Sequence, residues 1–281
     1  MNSKKRIAIQ GYEGSFHQIA ARAYFQQPIE TLPCPTFPEL AALSGDPQRS
    51  EGGIMAIENS IAGSILPNYS LLQDSELTIT GEVYLRIRQN LMALPGQSIE
   101  ALKEVYSHPM AILQCQQFFK QYPHIKLIES EDTALSAQRV REQSLKGVGA
   151  IASSLAAELF ELEILEESIE TVKNNYTRFL ILSHPPVREV APEHNKMSLY
   201  FKILHQPGTL AKALNALANV EVNISKLQSF PVPGSEWQYY FHTDIEFETL
   251  SQYQQVLETL KPLTEELKVF GTYQKGKTIR D

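Results

Sequence analysis

The sequence predicts an α/β protein followed by a smaller α+β unit, and three observations carry that prediction. Short apolar runs alternate with amphipathic stretches through the first 160 residues. Residues 184–196 turn irregular, with three prolines and two histidines in or beside them, and read as a linker. A strand–helix–strand–strand–helix–strand series then fills residues 197–281, the ferredoxin-like order of an independent small domain. At 281 residues the chain is long enough for such a division, and its 43% hydrophobic content suits a packed globule.

Arg6 to Gln10 reads as a strand, followed by the loop Gly11-Tyr12-Glu13-Gly14 and a helix from about Ser15 to Phe25, with Phe16, Ile19, Ala20 and Ala23 on one face. Gly53 to Ile57 is a buried strand that ends at Glu58-Asn59-Ser60. Leu77 to Ile87 alternates like a longer strand pair, and Gln89 to Leu94 continues the sheet. Glu104 to Tyr106 is a strand, Met110 to Gln121 a helix and Lys126 to Ile128 a strand. Asp132 or Thr133 can cap the next helix, which turns Ala134, Ala137 and Val140 inward. Gly149 to Ala152 is a strand, Ser154 to Phe160 a helix and Phe179 to Leu182 a strand. Repeated units of this size predict a mostly parallel sheet with helices on both faces. In the C-terminal unit, strands fall at Ser198–Leu204, Val222–Phe230, Trp237–Asp244 and Leu267–Tyr273, and helices at Thr209–Leu217 and Leu250–Leu260. Trp237, Tyr239 and Phe241 share a face that suits core or a dimer surface.

The formal charge of −7 and the lack of a basic stripe argue against nucleic acid. The N-terminus lacks the apolar run of a signal peptide and no segment approaches a membrane span, so a cytoplasmic protein is expected. Cys34 and Cys115 are too few for a disulfide framework, and the seven histidines are scattered, so no metal is expected.

Polar residues gather at the strand ends, where open α/β sheets place ligands. Gly11-Tyr12-Glu13-Gly14 can present N–H groups to an anion or be a plain tight turn; its spacing is no dinucleotide fingerprint. Glu58-Asn59-Ser60 followed by a glycine-bearing loop makes a hydrogen-bonding wall. His108 can serve as a base or belong to a structural turn before Pro109. Cys115, mid-helix in an apolar setting, reads as packed core. Asn174-Asn175-Tyr176-Thr177-Arg178-Phe179 sets two amides, a hydroxyl and a guanidinium at the mouth of an apolar strand.

Together these segments resemble the prephenate dehydratase family. Gly11-Tyr12-Glu13-Gly14-Ser15-Phe16 is similar to its Gly-Pro-Glu-Gly-Thr-Phe opening, with Tyr12 and Ser15 as departures. Glu58-Asn59-Ser60, Gly81-Glu82, Tyr106-Ser107-His108-Pro109 with Gln114-Cys115, Thr133-Ala134, Ala150-Ile151-Ala152-Ser153 and Thr177-Arg178-Phe179 follow in the family's order. The resemblance implies a two-lobed catalytic domain over residues 1–183, like type 2 periplasmic binding proteins. Lobe A would take about 1–83 and 170–183, and lobe B about 84–169. Residues 197–281 would be an ACT regulatory domain.

The implied reaction turns prephenate into phenylpyruvate, carbon dioxide and water in phenylalanine synthesis, driven by aromatisation without a cofactor. By resemblance Thr177 hydrogen-bonds the departing hydroxyl, with Asn59, Gln114, Ser107 and Glu58 as further catalytic candidates. Ser60, Arg178, Phe179, Gly11, Gly14, Thr133 and Ala134 are the implied substrate-binding residues; Arg178 either neutralises a carboxylate or braces the pocket. Glu131 also has a family counterpart.

Phenylalanine is the implied effector, through Gly208, Thr209, Leu210 and Ala211, with Asn223, Ile224 and Gln228 as further contacts. Gln228-Ser229-Phe230-Pro231 stands where the family has Glu-Ser-Arg-Pro, so both charges are lost and phenylalanine control is put in question. A homodimer or homotetramer is implied. Arogenate dehydration and non-catalytic binding of a small carboxylate remain alternatives. No helical extension precedes Arg6 or follows Tyr273, so a fused chorismate mutase is not expected.

Overall fold

The computed structural model describes residues 4–184, 190–232, 234 and 238–279. Strands β1 (Lys5–Gln10), β2 (Ile29–Cys34), β3 (Gly53–Asn59), β4 (Gly63–Ser64) and β5 (Thr78–Arg86) alternate with helices α1 (Phe16–Phe25), α2 (Phe37–Ser44) and α3 (Leu66–Gln73). The chain then builds a second sheet from β6 (Asn90–Ala93), β7 (Glu104–Ser107), β8 (Lys126–Glu129), β9 (Val148–Ala152) and β10 (Glu163–Glu166). Helices α4 (Pro109–Phe119), α5 (Thr133–Glu142) and α6 (Ser154–Leu159) cover it. Strand β11 (Tyr176–Ser183) returns to the first sheet between β3 and β5.

Two lobes result, joined where Ile87–Gln89 leaves and Ile169–Asn175 comes back. The two crossings are tied: Gln89 N donates to Glu170 Oε2 at 2.9 Å, Ile169 N to the Gln89 carbonyl at 2.7 Å and Ile87 N to the Asn175 carbonyl at 2.8 Å. The predicted strand pair at 77–87 is one strand, and Asn90–Ala93 belongs to the second lobe instead of continuing the first sheet. The sheets are mixed and not mostly parallel, because β11 and β6 enter antiparallel to their neighbours as the chain crosses over. Elements β2, α2, α3 and β10 had no reading from the sequence.

The third unit comprises β12 (Lys196–Lys202), α7 (Thr209–Asn219), β13 (Asn223–Pro231), β14 (Tyr239–Glu246), α8 (Leu250–Leu260) and β15 (Glu266–Tyr273). Its sheet order β13-β14-β12-β15 is ferredoxin-like. One face packs under α7 and α8 through Leu199, Phe201, Leu217 and Val256. The other packs on the first lobe: Tyr200, Phe270 and Tyr273 share a core with Ile79, Leu180 and Leu182. Gly271 allows this approach, since a Cβ there would lie 1.9 Å from the Ile79 carbonyl oxygen. The expected independence of this domain therefore gives way to a shared core. Its last strand, β16 (Thr278–Ile279), runs back and pairs with β5 at the edge of the first sheet. The expected linker at 184–196 falls partly on 185–189, and Trp237 also lies outside the described residues.

Candidate active site

Strand β11 is packed on both faces, so successive side chains alternate between two buried environments. Thr177 and Phe179 face a cavity of about 420 Å³ between the lobes. Three helix starts converge on it: Ser15 to His17 of α1, His108 to Ala111 of α4, and Asp132 and Thr133 of α5. Ser15 Oγ accepts from Gln18 N, His108 Nδ1 from Met110 N at 3.2 Å, and Asp132 Oδ1 from Leu135 N at 2.9 Å. The remaining N–H groups of those first turns, with the positive ends of the helix dipoles, favour negative charge in the cavity.

Asn59 ends β3 directly opposite Thr177. Its Oδ1 accepts from Ile61 N at 3.0 Å and Ala62 N at 2.9 Å, which fixes the amide orientation. The Nδ2 group then donates to Thr177 Oγ1 at 3.0 Å and to Asn175 Oδ1 at 2.7 Å. Asn175, fully buried, donates onward to Gln114 Oε1 at 3.1 Å. Since Thr177 Oγ1 already accepts from Asn59, its own proton is free to point into the cavity.

His17 lines the same wall. Burial pushes its pKa down to about 3, its Nε2 accepts from Ala56 N at 3.2 Å, and its ring stands edge-on to Phe179 at 4.9 Å. It is a neutral wall and not a proton donor near pH 7. Burial raises the Asp132 carboxyl above its ordinary range, against the N–H groups of Leu135 and Ala134 and nearby His108, which pull it down. Glu131 is paired with Arg139 at 2.7 Å near the surface. No cluster of His, Cys, Asp or Glu suited to a metal ion occurs among the described residues. No helix among them is long and apolar enough to cross a membrane.

The prephenate dehydratase family model matches residues 7–187. The chain belongs to that family. The arogenate dehydratase/prephenate dehydratase 1 of Arabidopsis thaliana is 36% identical over 97% of this chain and 72% of its own length. A bifunctional N-acyl-homoserine lactone acylase/prephenate dehydratase of Komagataeibacter europaeus is 34% identical over 97% of both chains. The crystal structure of the Staphylococcus aureus Mu50 prephenate dehydratase matches with a TM-score of 0.81, at 25% identity, over 96% of this chain and all of that one. The two lobes follow the type 2 periplasmic binding protein plan, with the cavity in the cleft between them.

Of the residues expected from the family's motifs, Ser15, Phe16, Asn59, His108, Gln114, Glu131, Thr133, Thr177 and Phe179 meet at this cavity. Others do not. Arg178 points to the opposite side of β11, because a strand alternates its faces; it binds Glu82, Asp244 and Tyr273. Glu58 pairs with Arg178 at 3.5 Å and with Lys226 of the third unit, again away from the cavity. Ser107 is fully buried and donates to the Ile151 carbonyl at 2.7 Å, bracing β7 against β9. Ser60 Oγ accepts from Tyr176 N at 2.9 Å and holds the turn to β11. Ala134 is buried in the second lobe's core.

Gly11 and Gly14 serve the lobe contact beside the cleft. Both have positive φ, and a Cβ on Gly14 would lie 2.9 Å from Ala156 Cα. Ser153 Oγ donates to the Gly14 carbonyl at 2.6 Å across the lobes. Sequence reasoning missed Gln10, His17 and Gln89 as cavity residues. Gln10 and His17 flank the Gly11–Gly14 loop and were reachable from it; Gln89 carries no local signal.

The regulatory set also divides. Gly208, Thr209, Leu210 and Ala211 line a second cavity of about 480 Å³ with His205, Tyr239 and Phe241. Phe241 also packs on the core under the helices, stacked on Phe201 at 5.5 Å. Asn223, Ile224 and Gln228 lie on β13, the far edge strand. A bulge between Ile224 and Lys226 switches its faces: Ile224 joins the core under the helices, while Gln228 Oε1 accepts from Ser64 Oγ of the first lobe at 3.2 Å.

Proposed function

We propose that this chain is a carbon–oxygen lyase that converts prephenate to phenylpyruvate, carbon dioxide and water, in phenylalanine synthesis. The observation that carries the reading is the Asn59–Thr177 hydrogen bond at the cleft, which leaves the Thr177 proton as a donor to a bound hydroxyl. The ring carboxylate departs as carbon dioxide, its bonding electrons enter the ring, and the C4–oxygen bond breaks. The hydroxyl needs one proton to leave as water. A threonine hydroxyl is a feeble acid, so Thr177 contributes a hydrogen bond that strengthens as charge develops on that oxygen, and can relay a proton to it.

The helix starts at Phe16, Met110 and Thr133 offer N–H groups to substrate carboxylates, and Gln114 is held by Asn175 at the same wall. Phe16, Phe37 and Phe179 supply the apolar walls for the ring. The third unit serves as an ACT domain that takes phenylalanine near Gly208. That residue starts α7 without a side-chain cap, leaving first-turn N–H groups open to a carboxylate. A cytoplasmic homodimer or homotetramer completes the reading. The test is turnover of prephenate by the purified chain, with phenylpyruvate followed and phenylalanine added. Formation that Thr177→Ala abolishes in a folded protein supports the reading; a near-normal rate in that variant sinks it.

A further inference from the structure

The cleft wall holds a buried acceptor that no described residue satisfies. Gln89 is 4% exposed, it lines the cavity, and its Oε1 has no hydrogen-bond partner among the described residues. An orphaned buried carbonyl oxygen is costly, so one kept in a binding cleft calls for a ligand that donates to it. The backbone around it is pinned. Gln89 N donates to Glu170 Oε2 at 2.9 Å and its carbonyl accepts from Ile169 N at 2.7 Å, where the two crossings between the lobes meet. Ile87, two residues earlier, lines the same cavity and donates its N–H to the Asn175 carbonyl at 2.8 Å. Leu85 stands opposite Thr177 in the sheet, so the segments that carry Gln89 and Thr177 run side by side along this wall.

Prephenate presents mostly acceptors. Its two carboxylates and its keto oxygen suit the N–H groups of the helix starts. The C4 hydroxyl carries its single donor. We propose that Gln89 Oε1 receives the proton of that hydroxyl, which makes Gln89 a catalytic residue alongside Thr177. The inference rests on the dehydratase reading and deepens it. Two hydroxyls can bond in either sense, and only one sense is productive. With its own proton engaged by Gln89, the C4 oxygen turns a lone pair to Thr177 and accepts from it. Released from Gln89, it can donate to Thr177 Oγ1 instead. Asn59 favours the same sense from the other side, since its Nδ2 takes one acceptor position of Thr177 Oγ1 at 3.0 Å. The atoms balance as before: the C4–oxygen bond breaks, the oxygen gains one proton from the Thr177 side, and it departs as water with its original O–H still on Gln89.

The experiment measures kcat and KM for prephenate, and inhibition by phenylpyruvate, in the parent chain, Gln89→Leu, Gln89→Met, Thr177→Ala and the double variant of Gln89→Leu with Thr177→Ala. Methionine is close to glutamine in length, so one of the two replacements of Gln89 can fill its place if the other disturbs folding, which circular dichroism reports. Each should lower kcat/KM by about threefold to tenfold, the range of one lost neutral hydrogen bond. Phenylpyruvate in its keto form has no O–H donor, so its inhibition constant should stay within about twofold of the parent's. The double variant should lose less than the product of the single losses, because both residues act on one oxygen. Folded Gln89 variants that match the parent, or that weaken prephenate and phenylpyruvate alike, overturn the assignment. Strictly multiplicative losses in the double variant overturn it as well. A parent inert on prephenate removes the dehydratase reading itself.

Discussion

Thr177 and Arg178 are neighbours on β11 with side chains in different compartments, the hydroxyl at the cleft and the guanidinium in the interface with the third unit. Arg178 is 3% exposed. It donates to Glu82 at 2.7 Å, to Tyr273 Oη at 3.1 Å and to Asp244, while Lys196 Nζ reaches Glu82 at 3.0 Å. Ser198 Oγ donates to Asp244 and also meets Tyr273 Oη at 2.6 Å. The strand that carries Thr177 is thus gripped from behind by residues of β12, β14 and β15.

Removing one charge from this set should be expensive. Asp244→Asn leaves Arg178 buried with less neutralisation, and breaking a buried pair in this way costs about 3–5 kcal/mol. Urea denaturation of parent and variant checks the figure. Loss of less than about 1 kcal/mol would show that Glu82 and Glu58 suffice for Arg178.

Acid should act on the same group. Burial would raise the Asp244 carboxyl, but Arg178, His242 and Lys196 outweigh it and hold the group well below its ordinary 3.8. The unfolded carboxyl is then the first to take a proton as pH falls. The stability from Asp244 is complete above about pH 4 and drains away below it. The thermal midpoint of the parent should drop in that range, and the drop should be shallower in Asp244→Asn.

His17 gives a separate, milder window. Its folded pKa of about 3 lies below the ordinary 6.5, so between those values the unfolded chain binds the extra proton. Stability should decline as pH is lowered from about 6.5, before the carboxylates titrate. His17→Gln retains an acceptor for Ala56 N and loses the titration. Its stability should be flatter between about pH 6.5 and 5, which calorimetry at several pH values would reveal.

For the cleft itself, Thr177→Ala should lower kcat by about a hundredfold or more, the scale of a lost transition-state hydrogen bond, while Thr177→Ser recovers most of it. Asn175→Ala acts only through Asn59 and Gln114, so its loss should be smaller. Steady-state kinetics beside circular dichroism separates these effects from unfolding. Equal losses in the Ala and Ser variants at position 177 would show that the methyl group matters more than the hydroxyl.

Much of this architecture was legible in the sequence. The period-two and period-3.6 patterns located β3, β9 and α8 to within a residue or two, and the helix read from Thr209 coincides with the start of α7. Thr177 and Asn59 were readable because each sits at the end of an apolar strand. Arg178 stayed between neutralising a carboxylate and bracing the pocket for lack of the neighbour across the interface: a strand's face is fixed by what packs on it, and Asp244 is 66 residues away. Glu58 failed in the same way through Lys226. Gln89 was invisible because its position depends on two crossings that meet only in the folded chain.

Strand β16 closes the edge of a sheet whose other members are made much earlier; Gly276 N reaches Glu82 Oε1 across 194 residues. On the ribosome, β5 must therefore wait with an open edge until the whole third unit has been synthesised. An unpaired edge is a template for foreign strands. Expression conditions that slow translation past β5 would prolong that exposure, and a chaperone able to shield β5 until β16 arrives would be of direct use to the nascent chain.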